Sequence, residues 1–389
     1  MFFLSLIILL SLLSITLVVA QGIKRIPHLR GVSPGTGAEK MPSVSVIIPA
    51  CNEEKSIEPA LTSIINLDYP GLEIIVVNDR STDRTGRILE RMGKVYPQLR
   101  VETISELPAG WLGKNHALQY GAERAAGDYL LFTDADVVME KSTLARAMQQ
   151  VRTENIDHLA LIFEIKVPGG LLNAMVLEVG AGLLFIYRPW KAGDPESSYH
   201  MGVGAFNLVR REAYEKAGRH EEIKMWPIDD IELGRLIKEK GFSQQCMNGQ
   251  GFVSVRWYDS VSEMAGGLMK NVFALYDYSL PRAAASVFLQ IMLGVFPLWA
   301  VFWTSGATRL LFGAAVLVRF LSFAKAFSDN NIRPWYALWS LVSPSVSIFI
   351  TMRATLVPLA RGGISWRGTF YPLGALRQQK RRLRDGNRS

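Results

Sequence analysis

The sequence predicts an α/β fold, a doubly wound and mostly parallel sheet, set between apolar helices at the two ends of the chain. From Val44 to Val138, short apolar runs alternate with segments of helical period, the order that builds a parallel sheet. Polar residues close three of those runs, at Asn52, Asp79 and the pair Asp134 and Asp136. Ligands of such sheets bind beyond the carboxyl ends of the strands. Outside this region, residues 2–20 and 283–303 are apolar over a length that crosses a bilayer.

The elements follow in order. Residues 44–48 form a β-branched strand closed by Pro49-Ala-Cys-Asn52-Glu53-Glu54, and residues 56–66 continue with helical period. Residues 72–77 are a second buried strand, ended by Asn78-Asp79-Arg80-Ser81-Thr82-Asp83; Thr82 or Asp83 can cap a helix over 84–96. A strand over 101–104, a loop over 108–115 carrying Lys114, and a helix over 116–126 lead to the strand that starts at Tyr129. Beyond Lys141 the alternation loosens. Residues 158–167 read as a strand and 171–187 as an apolar helix interrupted by Glu178, at an interface or lining an acceptor site rather than crossing a membrane. A Gly-rich loop over 199–207 precedes a helix over 211–217. Asp229 and Asp230 open a further helix, to Lys240, and a strand over 252–255 ends at Arg256-Trp257.

These readings divide the chain into an anchor (1–22), a linker (23–42), an α/β domain (43–280), apolar helices (281–360) and a basic tail (361–389). Lys and Arg number 43 against 35 Asp and Glu, and the excess gathers at the chain ends beside the apolar segments. That distribution suits an anionic membrane surface, and no motif for nucleic acid is present. No Lys or Arg precedes the first apolar run, whereas Lys24, Arg25 and Arg30 follow it. An uncleaved anchor is favoured over a signal peptide, and the α/β domain is expected on the cytoplasmic side of the cell membrane. In the second apolar region, residues 310–327 carry Arg319 and Lys325, and residues 335–352 contain Pro344. Three full spans there would put the basic tail outside, against the positive-inside rule, so two are expected. Cys51 and Cys246 have no metal-ligand spacing and offer no disulfide framework.

Asp134 and Asp136 carry the chemistry. Alternation along an extended strand end would point both carboxylates the same way. Two buried carboxylates are costly unless a cation sits with them, and a divalent metal on phosphate oxygens fits hard oxygen ligands. Asp229 and Asp230 at a helix start admit a plain capping role as well as a chemical one, and the helix dipole is expected to hold the Asp230 carboxyl low.

Together the motifs resemble family 2 glycosyltransferases with the nucleotide-sugar-binding fold known as GT-A. The resemblance covers roughly residues 43–271. It rests on Ile48-Pro49-Ala-Cys-Asn52-Glu53, on Val-Asn-Asp79-Arg-Ser-Thr-Asp83, on Asp134-Ala-Asp136, on Gly202-Val-Gly204-Ala-Phe through Arg211, and on Asp229-Asp230-Ile-Glu-Leu-Gly. Pro108-Ala-Gly-Trp-Leu-Gly-Lys114 and Ser365-Trp366-Arg-Gly368-Thr-Phe-Tyr371 make it similar to a membrane-bound branch acting on isoprenoid-type lipids, such as hopene-associated and carotenoid-acid transferases. The resemblance implies an inverting transferase with a nucleotide-sugar donor, a lipid acceptor and Mg²⁺ or Mn²⁺. It implies donor contacts from Pro49, Asn52, Glu53, Asp79 (base) and Asp134 (ribose and phosphate), metal ligation by Asp136 with Asp134, and Asp230 as general base beside Asp229. Arg256 and Trp257 match the end of the Gln-x-x-Arg-Trp motif of processive members, but Val253 stands where the Gln would be. Lys114 and Arg210 or Arg211 are secondary candidates for phosphate contact, with solvated surface charge as the alternative. A polysaccharide synthase, a non-catalytic membrane scaffold and a nucleotidyltransferase are the competing readings. The first needs more spans, the second conflicts with the intact acids, and the third lacks a basic Gly-rich loop after the first strand.

Overall fold

The computed structural model describes residues 1–34 and 41–385. Part of the expected linker, residues 35–40, and the last four residues of the basic tail lie outside the described residues. The elements are, in order, α1 (Phe2–Ile23), β1 (Val44–Ala50), α2 (Ile57–Ile65), β2 (Leu72–Asp79), α3 (Thr85–Val95), β3 (Leu99–Ile104), α4 (Gly113–Arg124), β4 (Tyr129–Phe132), β5 (Val137–Met139) and α5 (Thr143–Thr153). They continue with β6 (His158–Ile162), β7 (Glu164–Lys166), α6 (Gly170–Tyr187), β8 (Asn207–Arg210), α7 (Arg211–Lys216), α8 (Asp229–Glu239), β9 (Gln244–Asn248) and β10 (Val253–Arg256). The remainder is α9 (Val261–Gly267), α10 (Met269–Leu275), α11 (Leu280–Gln290), α12 (Phe296–Trp303), α13 (Gly306–Asp329), α14 (Ser343–Arg361), β11 (Gly363–Trp366), β12 (Thr369–Pro372) and α15 (Leu373–Asp385).

The chain divides into two compact units. The first comprises Ile26–Lys166, Pro189–Arg256 and the chain from Ser365 on. Its main sheet has the order β3-β2-β1-β4-β8-β6-β9 among the described residues. β1 runs parallel to β2 and β4, and β2 parallel to β3, as the alternating pattern requires. β8 is antiparallel to both of its neighbours, β4 and β6. The sequence reading missed this strand and placed only loop and helix there. Val44, Val46, Ile47 and Ile48 of β1 are wholly buried, which accounts for a continuous apolar run in place of alternation. A smaller sheet of order β5-β10-β7 stands beside it in the same unit.

The second unit is helical and comprises Met1–Arg25, Val167–Arg188 and Trp257–Ile364. Among the described residues, five helical stretches are long and apolar enough to cross a membrane: Phe2–Ile23, Gly170–Lys191, Leu280–Trp303, Gly306–Asp329 and Ser343–Arg361. Two charges that looked anomalous in the apolar sequence are partners. Arg319 of α13 pairs with Glu178 of α6 at 3.1 Å and donates to the Ser340 carbonyl, while the Ser343 hydroxyl donates to the same Glu178 oxygen. Buried charges persist when paired and hydrogen-bonded in this way. Pro344 does not interrupt a helix. A 3₁₀ segment, Pro334–Leu341, ends before it, and Pro344 lies in the first turn of α14, where no helical N–H is lost.

Candidate active site

The carboxyl ends of β1, β2 and β4 and the start of α4 after β3 hold Asn52, Glu53, Asp79, Asp134, Asp136 and Lys114, and the start of α8 holds Asp229 and Asp230. Asp134 and Asp136 follow β4, but not on an extended strand: Ala135 and Asp136 form a turn that carries the chain from the main sheet into β5 of the smaller one. The expected alternation is therefore broken. Asp134 is paired with Lys114 at 2.9 Å, and Lys114 reaches Asp229 at 3.1 Å. Lys114 is fixed from behind. The next residue, Asn115, donates to the carbonyls of Ile223 and Trp226, locking the start of α4 to the segment that leads into α8.

The loop over residues 201–206 brings Asp230 to the same place. Asp134 N–H donates to the Gly204 carbonyl, the Thr133 hydroxyl donates to the Ala205 carbonyl, and Gly204 N–H donates to Asp230 Oδ2 at 2.7 Å. A Cβ on Gly202 would lie 1.8 Å from the Asp230 carbonyl oxygen, and one on Gly204 would lie 2.8 Å from Asp134 Oδ2 and 3.4 Å from Asp230 Oδ2. Glycine at both positions lets a backbone pass between the two acids. Lys114, Thr133, Asp134, Gly204, Asp229 and Asp230 line one pocket, closed behind by Phe132, Asn207 and His220.

Electrostatics in this pocket follow from burial and crowding. Burial, with Asp229 next to it, pushes the Asp230 carboxyl from its ordinary 3.8 up to about 6, against the pull of Lys114. The expectation of a lowered carboxyl is thereby corrected: desolvation and a neighbouring carboxylate outweigh the helix start. Lys114 is held well above its ordinary value by Asp134, Asp229 and Asp230, which outweigh its desolvation. The N-cap of α8 is Ile228, which makes no side-chain cap, and the Ile231 N–H bonds the Asp230 carboxyl within the first turn. Burial also drives Asp136 up to about 7, with Asp134 and Glu53 adding to it.

That state of Asp136 bears on a metal. Among the described residues no three His, Cys, Asp or Glu side chains are grouped to hold an ion. A hard cation held by one or two carboxylates plus phosphate oxygens needs no such group. A buried carboxyl crowded by other carboxylates is the donor that a cation would return to its ionised form. The residues present fit a divalent ion shared with a phosphate ligand.

The other candidates fall into three places. Pro49 lies in β1 opposite Val77. The Asn52 side-chain oxygen accepts the N–H groups of Thr82 and Asp83, and Glu53 N–H donates to Thr85, so these two residues join the β1 loop to the β2 loop. Asp79 is 3 % exposed at the end of β2, both of its oxygens held by Arg80. Arg256 is exposed at the end of β10, and Trp257 belongs to the helical unit, stacked on Tyr258. Arg210 and Arg211 stand at the far end of β4: the register sets Arg210 against Tyr129, and Arg211 donates to the Gly127 carbonyl. Sequence reasoning did not single out Arg80, Gly204, Arg367 and Tyr371 as site residues, although each stands inside a motif it quoted.

Comparison with known proteins bears on the same stretch of chain. A family model, glycosyl transferase family 2, covers residues 45–218. That stretch contains β1 to β4, Lys114, the Asp134–Asp136 turn and the Gly204 loop. Residues 45–218 form a family 2 glycosyltransferase domain. Curated relatives include 4,4'-diaponeurosporenoate glycosyltransferases of Staphylococcus aureus. The one from strain bovine RF122 is 27 % identical over 63 % of this chain and 68 % of the relative. The one from strain USA300 is 24 % identical over 64 % of this chain and 66 % of the relative, so the chain spans about two thirds of their length. The fold is also that of a mannosyltransferase, PcManGT from Pyrobaculum calidifontis, solved in complex with GDP-Man and Mn²⁺. It shows 18 % identity and a TM-score of 0.55 over 91 % of this chain and 98 % of that one. The transferase therefore has the GT-A fold.

Proposed function

We propose that this transferase moves a sugar from a nucleoside diphosphate donor, a UDP-sugar first among them, to an isoprenoid-type lipid at the cell membrane, with inversion and with Mg²⁺ or Mn²⁺. The observation that carries the reading is the bracket of Lys114 between Asp134 and Asp229, with Asp230 held beside it by Gly204. In a single displacement the acceptor oxygen attacks the anomeric carbon, the bond to the diphosphate breaks on the opposite face, and a hydroxyl acceptor gives its proton to Asp230. A carboxyl near 6 is ionised at neutral pH yet basic enough to take that proton. Lys114 remains cationic beside the charge that develops on the leaving group. Asp136 and Asp134 would hold the divalent ion, whose chemistry is to neutralise the diphosphate oxygens. The relatives' name specifies an isoprenoid acid; such a carboxylate acceptor would need little help from Asp230.

Chain connectivity supports a membrane setting with the transferase unit on one side. Residues 26–166 and 189–256 share one sheet, so the single helix α6 between them cannot be a full crossing. Ser365 and the residues after it return to the same unit, so residues 257–364 cross an even number of times. Two spans, Leu280–Trp303 and Gly306–Asp329, satisfy that count and keep the basic tail beside Lys24, Arg25 and Arg30, on the cytoplasmic side by the positive-inside rule.

Mass spectrometry of lipid extracts from cells with and without the gene tests the reading. A glycolipid lost with the gene names both sugar and acceptor. Identical extracts, together with no release of nucleoside diphosphate from UDP-sugars or GDP-mannose by the purified chain, overturn it.

A further inference from the structure

The hairpin of β11 and β12 joins through a two-residue turn, Arg367-Gly368, with φ of 49° and 78°. Two left-handed residues in succession make a type I′ turn, whose first position ordinarily holds Asn, Asp or Gly. Arginine there is a costly choice, of the kind retained when the surroundings use it. Its guanidinium donates to the Cys51 carbonyl, to the Asn52 carbonyl at 3.1 Å and to the Glu53 carboxylate. All three acceptors belong to the loop that follows β1.

The second strand reaches two more loops. The Thr369 hydroxyl accepts from Arg80, which holds Asp79 after β2, and the Tyr371 hydroxyl accepts the Gly113 N–H at the start of α4. Asn52 and Arg80, the residues on which this network converges, are also left-handed, at φ 56° and 55°. Three positive-φ non-glycine residues thus meet in one network, Asn52 and Arg80 from neighbouring loops and Arg367 from far along the chain.

The sheet order says what the network faces. Asp134 and Asp230 stand at β4, and β2 lies two strands away, roughly 10 Å. A donor whose reacting carbon sits at Asp230 would extend its nucleotide past β1 to β2. We propose that residues 365–372 are a strap over the nucleoside end of the donor crevice, with Arg367 as a positioning residue for the nucleoside diphosphate. The proposal rests on the glycosyl-transfer reading. It gives the late Ser365–Tyr371 motif a role in donor binding, apart from the acceptor.

Isothermal titration of the detergent-solubilised full chain with UDP and with GDP, each with Mn²⁺, tests it on wild type, Arg367→Ala and Arg367→Lys. Wild type is expected to bind one of the two nucleotides. Arg367→Ala is expected to raise that Kd roughly tenfold or more, the size of one charge-assisted hydrogen bond, with the melting temperature close to wild type because the side chain is 40 % exposed. Arg367→Lys, which keeps the Glu53 ion pair but loses the fork to the two carbonyls, is expected to fall between. Unchanged affinity in Arg367→Ala overturns the strap and leaves the glycosyl-transfer reading standing. If Arg367→Ala does not fold, an unchanged Kd in Arg367→Lys overturns it equally. Wild type binding neither nucleotide overturns both.

Discussion

Replacing Asp230 with Asn separates chemistry from packing. In the fold its carboxyl is raised from 3.8 to about 6 by burial and by Asp229. An acid raised on folding costs stability once it ionises: the cost is absent below the unfolded value, grows between about 4 and 6, and is complete above. At pH 7 it amounts to on the order of 3 kcal/mol. Asn removes that charge and keeps an oxygen to accept the Gly204 N–H, so Asp230→Asn should melt at or above the wild-type temperature at pH 7, the gain vanishing near pH 4. Loss of a general base lowers the rate by about 10²–10⁴-fold. With a hydroxyl acceptor, transfer by the variant should fall by that factor while nucleotide affinity holds, and wild-type activity should decline below about pH 6. The assay is transfer of radiolabelled sugar to extracted lipid, beside thermal melts at pH 4 and 7. Asp230→Asn transferring at the wild-type rate to a hydroxyl lipid would refute the base assignment. A wild-type rate confined to a carboxylate lipid would locate the dispensability in the acceptor.

Other substitutions probe the neighbouring groups. Asp136→Asn should abolish metal-stimulated transfer with little effect on melting; activity of that variant in a chelator counts against the metal role. Gly202→Ala must displace the start of α8, since its Cβ would meet the Asp230 carbonyl at 1.8 Å, and a loss of about 100-fold in kcat is expected from misplacing Asp230. Lys114→Ala leaves Asp134 and Asp229 without their shared cation and should destabilise by on the order of 3 kcal/mol, read as a lower denaturant midpoint. Single cysteines at Lys216 and Arg377 should label from the same membrane face and one at Ser305 from the opposite face. Labelling of Lys216 and Arg377 from opposite faces contradicts the even number of crossings.

Much of this molecule follows from local pattern. Mostly buried apolar runs over residues 44–48, 72–77 and 129–132, interrupted by Ser45 and Glu73, which bond each other, and separated by helical periods, suffice to specify parallel strands, because a strand covered on both faces is apolar at nearly every position. The polar residues at their ends, Asn52, Asp79 and Asp134, follow from the same logic, since a strand end is where the chain leaves the core. What local pattern does not carry is pairing at a distance. Asn207–Arg210 is four residues long and looks like the end of a loop; it is a strand because β4 and β6 offer it hydrogen bonds on both sides. Glu178 and Arg319 each read as a defect in an apolar helix, and only packing makes them a pair. The carboxyl of Asp230, expected low from its helix start, is raised by a degree of burial that no window of sequence reports. Arg367 is 314 residues from Glu53, and closing so long a stretch of chain brings together groups that share no local signal. The acids and the lysine of the site can be named from the sequence because each stands in a local motif; which of them meet, and at what charge, is decided by tertiary structure, because distance and dielectric are properties of the folded chain.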